Sequence, residues 1–334
     1  MTERAVVTPE YMRAWGEHAG SSPLYRELVE VIAESDELLR IVDRIPHKPP
    51  PNILFAAVQF LLMDGMGADL ARYYPSLTES PLPATGAGPV FTEFVIDHEE
   101  QIVAIGTTRY TQTNECRRCV ALLPGIWAAA FDRFHLIDLG ASAGLNLALD
   151  HYRYRWGEVT WGSPSPVMLE TELRGASPTP RDITVLSRTG LDLSPVDVSD
   201  PIERRWLEAL IWPEQRDRRE RLHAALEVAG QVERRMVAGS ALDTLGPVLA
   251  GLPGDEPALV MNSFALNQLT AEERADIDGV VSEARAVRPV QRVSMELRIK
   301  DDRSARIEVD DGSGWAEIGR AQPHGEWLEL YARP

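Results

Sequence analysis

Cysteine and positive charge are both scarce in this sequence. Cys116 and Cys119 are its two cysteines, and one C-x-x-C pair without a second does not make a zinc site. No strand pattern precedes the pair, so we expect two reduced, structural thiols rather than a redox motif. Basic residues number 34 against 51 acidic ones, a formal charge of −17. This balance disfavours nucleic acid as a partner, because phosphates require cations.

Long apolar runs and targeting patterns are lacking as well. The longest apolar stretch, residues 53–63, contains Gln59 and is too short to span a bilayer. The first residues, MTERAVVTPEYM, lack the basic, apolar and small-residue regions of a secretory signal. These features predict a cytoplasmic protein without membrane contact, whose partner is a small molecule. They give no indication of an oligomeric state.

Helical patterns dominate residues 1–131. Proline stands at the first position of two amphipathic segments, 9–19 and 23–34, where its fixed φ suits a helix start. Further helical segments follow at 36–45, 53–63, 90–105 and 120–131, the last with Pro124 inside it. We therefore predict an all-helical N-terminal cap over residues 1–131.

Strands and helices alternate from residue 132 to the end. Apolar strand patterns occur at residues 134–137, 183–186, 232–237, 257–264 and 290–299, and two more at 305–309 and 327–332. An insert at 153–182 is rich in tyrosine, tryptophan, glycine and proline. The pattern predicts an α/β domain over residues 132–334, with a Rossmann-like sheet of seven strands.

The first strand ends in a turn of small residues, within FHLIDLGASAGLNLALDHY (residues 134–152). The dinucleotide pattern G-x-G-x-x-G fails, because Ser142 and Leu145 stand where glycines are required. The acid-x-G-x-G-x-G pattern of class I S-adenosylmethionine-dependent methyltransferases fits better: Asp138, Gly140 and Gly144 match, and Ser142 is a small substitute. A tight turn without any ligand is the alternative.

The acid in this pattern has two possible roles. Asp138 either accepts hydrogen bonds from amides of the turn or attracts the cationic end of the ligand's methionine moiety. A helix predicted from Leu145 onward would present its free N–H groups to the ligand, and Asn146 lies in its first turn.

Further candidates for cofactor binding lie on the flanking segments. Asn114, Glu115 and Arg118 begin a helix just upstream of the first strand, where they are candidates for the ligand's amine and carboxylate. An ordinary exposed helix start is the alternative. Asp192 follows the second strand, where an acid suits ribose hydroxyls, and Asp197 competes for that role.

Two later positions complete the set of cofactor candidates. Asp243, close to Ser240, stands where such folds contact adenine, although both residues also suit a helix cap. Asn262 and Ser263 end the fourth strand, where methyltransferases face the transferred group and polar residues can orient an acceptor. Asn262 is therefore a candidate for cofactor binding and for catalysis.

The remaining catalytic candidates are general bases and aromatic residues of the insert. If the acceptor is a hydroxyl or amine, a base is required, and the candidates are His98, Glu99, His151 and His324. Tyr154, Trp156 and Trp161 have two interpretations, an acceptor pocket or a hairpin packed on the sheet, and we favour the hairpin.

Four segments carry a resemblance to a known family. With TQTNECRRCVALLP, GASAGLNLALDHY, RTGLDLSPVDV and WLEALIWPEQRDRRERLHAAL, the chain resembles a bacterial family known as domain of unknown function 2332. The resemblance implies a methyltransferase-like fold and supplies no substrate. Ser142 stands where methyltransferases often carry glycine, and the acid often found near position 240 is missing.

These observations predict an S-adenosylmethionine-dependent methyltransferase that acts on a small molecule and has no metal. A methyltransferase-shaped binding or regulatory protein without chemistry is the alternative. A dinucleotide-dependent oxidoreductase is disfavoured by Ser142 and Leu145.

Overall fold

The computed structural model describes residues 6–17, 21–129, 131–297 and 304–332. Contacts divide them into two compact units. The first contains the described residues up to Thr113 together with Asp200–Glu220, and the second contains Asn114–Ser199 and the described residues from Arg221 on. The segment 114–131, assigned to the cap from the sequence, thus lies in the second unit.

Twelve helices occur in the described parts of the chain. They are α1 (Pro9–Gly16), α2 (Pro23–Ala33), α3 (Asp36–Asp43), α4 (Pro50–Met63), α5 (Ala68–Ala71), α6 (Ala87–Asp97), α7 (Glu99–Thr108), α8 (Cys119–Ala129), α9 (Pro201–Ala209), α10 (Arg216–Gln231), α11 (Ala241–Ala250) and α12 (Ala271–Arg285). Within the described ranges, none of them is long and apolar enough to cross a membrane.

The first unit is built around α4, which is buried on nearly every side. The ring of Tyr25 stacks on Phe55 at 4.3 Å between centroids. Gln59 is the polar exception, and its side chain is fully paired: Nε2 donates to the carbonyls of Ala209 (2.9 Å) and Ile211 (2.8 Å). Its Oε1 accepts from Ser76 Oγ at 2.8 Å. The amide therefore ties the segment after α9 to α4 without an unpaired polar group.

The second unit contains one mixed sheet of eleven strands. They are β1 (Arg133–Leu139), β2 (Arg153–Trp156), β3 (Val159–Trp161), β4 (Met168–Gly175), β5 (Thr184–Asp192), β6 (Arg235–Ala238), β7 (Ala258–Ser263), β8 (Val290–Leu297), β9 (Ala305–Asp310), β10 (Trp315–Ala321) and β11 (Trp327–Leu330). Their order is β3-β2-β4-β11-β10-β9-β8-β7-β1-β5-β6. The predicted α/β class is confirmed, and the predicted number of seven strands is wrong.

The four additional strands come from two places. The insert contributes β2, β3 and β4, which join the same sheet through β11. On β2, Tyr154 and Trp156 point inward and are fully buried, and their rings stack at 5.1 Å. Trp161 of β3 packs edge-on against Trp127. β2 and β3 form the hairpin that we favour for these aromatics, and the buried side chains of Tyr154 and Trp156 pack in the core rather than line a pocket. The fourth strand, β10, fills the glycine-rich connection before Gly325.

Five parallel strands form one end of this sheet, in the order β6-β5-β1-β7-β8, with β6 at the edge and β1 in the middle of the five. The chain moves from β1 outward through β5 to β6, and then returns to the other side of β1 for β7 and β8. The direction of strand addition therefore reverses between β1 and β7.

The two faces of the central strands have different neighbours. Ile137, Leu139 and Val260 lie in an apolar cluster with side chains of α11 and α12. Asp138 alternates with them and points to the opposite face, which α8 covers. The packing of α8 is close, since a Cβ on Gly125 would lie 2.6 Å from Cγ1 of Val293.

Two glycine-to-alanine substitutions test this packing. Gly125→Ala is expected to lower the free energy of unfolding by about 1–3 kcal/mol, because the added methyl overlaps Val293. In Gly279→Ala, on the exposed side of α12, the methyl meets nothing within 4 Å. That control is expected to raise stability by about 0.5–1 kcal/mol through helix propensity. Urea unfolding measures both, and equal effects of the two variants would contradict the packing of α8.

Candidate functional site

The turn after β1 places every second residue in the left-handed region. The φ angles are 73° at Gly140, 50° at Ser142 and 68° at Gly144. Glycine adopts this conformation without a steric cost, whereas a serine pays about 1–2 kcal/mol. The turn also runs close to the segment after β7, because a Cβ on Gly140 would lie 2.7 Å from that of Ala265. The glycine pattern in the sequence therefore has a conformational cause.

The backbone amides of this turn are bonded to the end of β5. The N–H groups of Gly140 and Ala141 both donate to the carbonyl of Leu191, at 2.8 and 3.1 Å. The N–H of Ser142 donates to Oδ2 of Asp192 at 2.8 Å. These amides therefore hold the turn to the neighbouring strand, and they do not donate to Asp138 as one of its two predicted roles required.

Asn114 holds the next part of the turn from the other side. Its Oδ1 accepts from the N–H of Ala143 at 3.1 Å, and its Nδ2 donates to Oγ of Ser142 at 3.0 Å. We had expected Asn114 to bind the amine of a ligand. In the structure, the Asn114 side chain holds the turn through these two hydrogen bonds. They also stabilise Ser142 in its unfavourable conformation.

The segment after the turn is a 3₁₀ segment, Leu145–His151, with non-helical dihedral angles at Ala148. The predicted α-helix is therefore wrong, and with it the predicted helix N-terminus. Side-chain donors bind the carbonyls that an α-helix would use: Tyr152 Oη donates to Leu145 (2.7 Å) and Tyr154 Oη to Leu149 (2.6 Å).

Asp138 lies beneath the turn and is 1% exposed. Its Oδ2 is buried and has no hydrogen-bond partner in the described part of the chain. Burial raises the pKa of Asp138 well above its ordinary value; the carboxylate of Asp192 raises it further, and Arg118 opposes the shift. A buried carboxyl oxygen without a partner is costly, and such groups concentrate at binding and catalytic sites.

Asp192, the last residue of β5, lies beside the same turn. Besides the N–H of Ser142 it binds the N–H of Ser194, which donates to Oδ1 at 2.8 Å. The competing acid, Asp197, is exposed and accepts from Ser199 in a turn of its own. The geometry therefore favours Asp192 over Asp197 as the acid next to the turn.

Arg118 and Glu115 approach the site in different ways. The Arg118 guanidinium stacks over the ring of Phe264 at 4.2 Å, and its Nε donates to the carbonyl of Pro323 at 3.1 Å. Glu115 is buried and forms an ion pair with Arg221 at 3.0 Å. Glu115 is thus engaged with a cation of its own chain, whereas Arg118 is close enough to Asp138 to affect its pKa.

Asn146 connects the 3₁₀ segment to α8 and β7. Its Oδ1 accepts from Sγ of Cys119 at 3.4 Å, and its Nδ2 donates to Oγ of Ser263 at 3.4 Å. Burial raises the pKa of the Cys119 thiol well above its usual range, and Cys116 and Cys119 are both free thiols. Ser263, which the sequence analysis places with Asn262 at the end of the fourth strand, therefore lies beside the 3₁₀ segment.

Asn262 is the neighbour of Ser263, and its side chain lies on the other face of the sheet. Its Nδ2 donates to Oγ of Ser294 at 2.8 Å and to Oε1 of Glu296 at 2.7 Å. The structure therefore does not bring the Asn262 side chain together with Asp138. Strand alternation in the sequence would have separated positions 262 and 263.

The other candidates lie elsewhere. Asp243 is exposed in the first turn of α11, where Ser240 is the N-cap. In the first unit, His98 Nδ1 donates to the Phe94 carbonyl (2.8 Å), and Glu99 pairs with Arg40.

The two remaining histidines belong to the second unit. His151 is exposed at the end of the 3₁₀ segment, and His324 is half-buried between β10 and β11.

The pH dependence of stability tests the state of Asp138. Between about pH 3.9, where an unfolded aspartate titrates, and its raised pKa, the folded protein keeps a proton that the unfolded chain releases. The free energy of unfolding therefore falls as pH rises, by up to about 1.4 kcal/mol per pH unit. In Asp138→Asn this pH-dependent loss of stability is absent. The free energy of unfolding of the variant, relative to that of the wild type, should therefore increase with pH between these two pKa values.

Denaturant unfolding between pH 4 and pH 8 measures the effect. Asp243→Asn, at an exposed position, serves as a control whose profile should run parallel to that of the wild type. A parallel profile for Asp138→Asn as well would show that Asp138 is not a buried, protonated carboxyl.

Comparison with known proteins gives one match. No curated protein and no solved structure matches the chain. The model of one protein family does match, over residues 10–330. Because this match covers nearly the whole sequence, the protein belongs to the bacterial family described as "Uncharacterized protein conserved in bacteria (DUF2332)".

Proposed function

We propose that this protein binds S-adenosylmethionine at the turn after β1 and transfers its methyl group to a small molecule. The observation that carries the proposal is the buried carboxyl of Asp138, whose Oδ2 has no partner among the described residues. A cationic ligand at this position would offset the cost of burying the carboxyl. S-adenosylmethionine carries two cationic groups, a sulfonium and an ammonium.

The strand order supports a ligand at this position. In open α/β sheets, ligands bind at the carboxyl ends of the strands where the direction of strand addition reverses. The reversal falls between β1 and β7, and the turn Gly140–Gly144 follows β1 directly. We therefore propose a Rossmann-like methyltransferase sheet that is extended by six strands beyond its five parallel ones.

The residues at the turn suit separate parts of this cofactor. Asp138 would face a cationic group, and Arg118, stacked on Phe264, would bind the carboxylate of the methionine moiety. Asp192 accepts two backbone N–H groups and keeps further acceptor capacity for ribose hydroxyls. Asn114 would hold the turn in shape without touching the cofactor.

Catalysis would rest on orientation more than on acid–base chemistry. When bound, S-adenosylmethionine supplies a methyl group that is activated by its positive sulfur. The chain's own residues would fix the direction of approach and exclude water, an effect that is large for bimolecular reactions. An acceptor carboxylate or thiolate needs no general base. The second candidate is a nucleoside-binding protein that catalyses no reaction. It is supported by the candidate general bases, because His98 and Glu99 are bonded within the first unit and His151 is exposed.

Calorimetric titration with S-adenosylmethionine and S-adenosylhomocysteine tests the cofactor. We expect micromolar binding to the wild type and a loss of about 10–100-fold in Asp138→Asn, because a hydrogen bond to a charged group contributes about 1.5–3 kcal/mol. Asp192→Asn should also weaken binding, and the matched Asp197→Asn should not. Circular dichroism of each variant verifies folding.

The outcomes separate the two candidates. Failure of the folded wild type to bind either compound would refute the cofactor assignment. Binding without any S-adenosylhomocysteine formed from a panel of carboxylic acids, thiols, phenols and amines would favour the non-catalytic candidate. Equal losses of affinity in Asp192→Asn and Asp197→Asn would contradict the assignment of Asp192 to the cofactor site.

A further inference from the structure

A cavity lies on the face of the sheet that carries α12. Its volume is about 210 Å³. Arg292, Ser294 and Glu296 of β8 line it, and the antiparallel pairing of Ser294 with Glu308 and of Glu296 with Arg306 brings side chains of β9 to the same face. Val260 pairs with Arg292, so this face is that of Val260 and Leu139 and is opposite to Asp138.

The cavity contains two buried donors without acceptors. Arg292 is 2% exposed, and its Nη1 forms an ion pair with Asp278, while its guanidinium lies 4.5 Å from the ring centroid of Trp315. Its Nε has no acceptor within the described ranges, and neither has Nδ2 of Asn267. Each buried donor that is left without a partner destabilises the protein. Two of them lining one cavity indicate a ligand that supplies acceptor atoms.

Glu296 and Glu308, two acidic residues of the cavity lining, already accept hydrogen bonds or form ion pairs. Glu296 accepts from the side chain of Asn262 and from three backbone N–H groups, those of Ala265 (3.0 Å), Leu266 (2.9 Å) and Asn267 (3.1 Å). Burial nevertheless raises its pKa. Glu308 forms an ion pair with Arg306 at 3.3 Å. The guanidinium of Arg274 donates to the carbonyl of Leu269, which adds a third cation to the lining.

Two exposed apolar side chains line the cavity beside its charged groups. Trp315 is 39% exposed and Leu297 is 41% exposed, and both line the cavity. A buried cation below an exposed aromatic ring and an aliphatic side chain suits an amphipathic molecule, with an acceptor group at one end and an apolar body at the other.

We propose that this cavity is a second ligand site, which binds a small carboxylate with an aromatic or aliphatic body. The carboxylate oxygens accept from Arg292 Nε and Asn267 Nδ2, and the body lies against Trp315. A charge-assisted hydrogen bond to a guanidinium is stronger than a neutral one, so the site discriminates a carboxylate from its amide. The site is independent of the cofactor proposed above, because it lies on the opposite face of the sheet from Asp138.

The probes are acetate, benzoate, phenylacetate and 3-phenylpropionate, each with its uncharged carboxamide. Calorimetry and the indole N–H signal of Trp315 in nitrogen-resolved NMR, identified through Trp315→Phe, measure binding without any cofactor present. We expect at least one aromatic carboxylate to bind in the millimolar range or tighter, to shift the Trp315 signal, and to exceed its amide by about tenfold or more in affinity.

Two matched variants in one loop locate the site. Asn267→Asp keeps the backbone contact to Glu296 but replaces the side-chain donor by a negative charge, and is expected to lower carboxylate affinity at least tenfold. Gln268→Glu adds the same charge at an exposed neighbour and should leave affinity unchanged.

Three results would overturn the proposal. They are no binding of any carboxylate at 10 mM (roughly the weak limit for a specific small ligand), equal affinity for acid and amide, and an unchanged affinity in Asn267→Asp. Thermal unfolding of both variants shows whether they remain folded.

Discussion

The buried carboxyl of Asp138, whose Oδ2 has no hydrogen-bond partner among the described residues, is the feature around which our account of the sheet unit is arranged. Asp138 lies on the central strand, one residue before its end, and the amides that would normally satisfy such a group donate to Leu191 and Asp192 instead. Because this arrangement costs free energy in the isolated protein, it is more readily explained by a ligand than by stability. Around it, Asn114 and Asp192 fix the turn in a conformation that is unfavourable for Ser142.

The alternation of side chains along the strands divides the unit into two chemical environments. On the α8 face, Asp138 lies below the turn, and Asn146 reaches Ser263 nearby. On the α12 face, Glu296 holds the segment after β7 through three hydrogen bonds from its backbone, and Asn262 donates a fourth hydrogen bond to Glu296. That segment approaches Gly140, where Ala265 leaves room for no side chain. One short loop is therefore shared between the turn and the lining of the cavity.

Much of the central sheet could be predicted from the sequence. The buried parallel strands are short apolar runs, and the turn after β1 carries small residues because its backbone needs left-handed dihedral angles. A hairpin is predicted for the aromatic part of the insert, but its union with the main sheet is not, because the pairing of β4 with β11 joins residues far apart in the sequence. In β10, Glu317 and Arg320 weaken the apolar alternation that a strand would show.

The site was less predictable than the sheet, because its hydrogen bonds join residues that are far apart in the sequence. Asp192 is fifty residues from the amide of Ser142 and Asn114 is twenty-nine residues from Ala143, so no local pattern reveals these bonds. The α-helix expected after the turn was wrong because Tyr152 and Tyr154, which belong to the following segment, bind its carbonyls. The two tyrosines can bind these carbonyls only when the following segment folds back onto residues 145–149.

Proton release on binding tests the central claim most directly. If the carboxyl of Asp138 is protonated in the free protein and ionises against a cationic ligand, binding of S-adenosylmethionine near neutral pH releases up to one proton. Titrations in buffers of different ionisation enthalpy count that proton. We predict a measurable release in the wild type and none in Asp138→Asn. Binding without proton release in the wild type, or equal release in both proteins, would contradict the account.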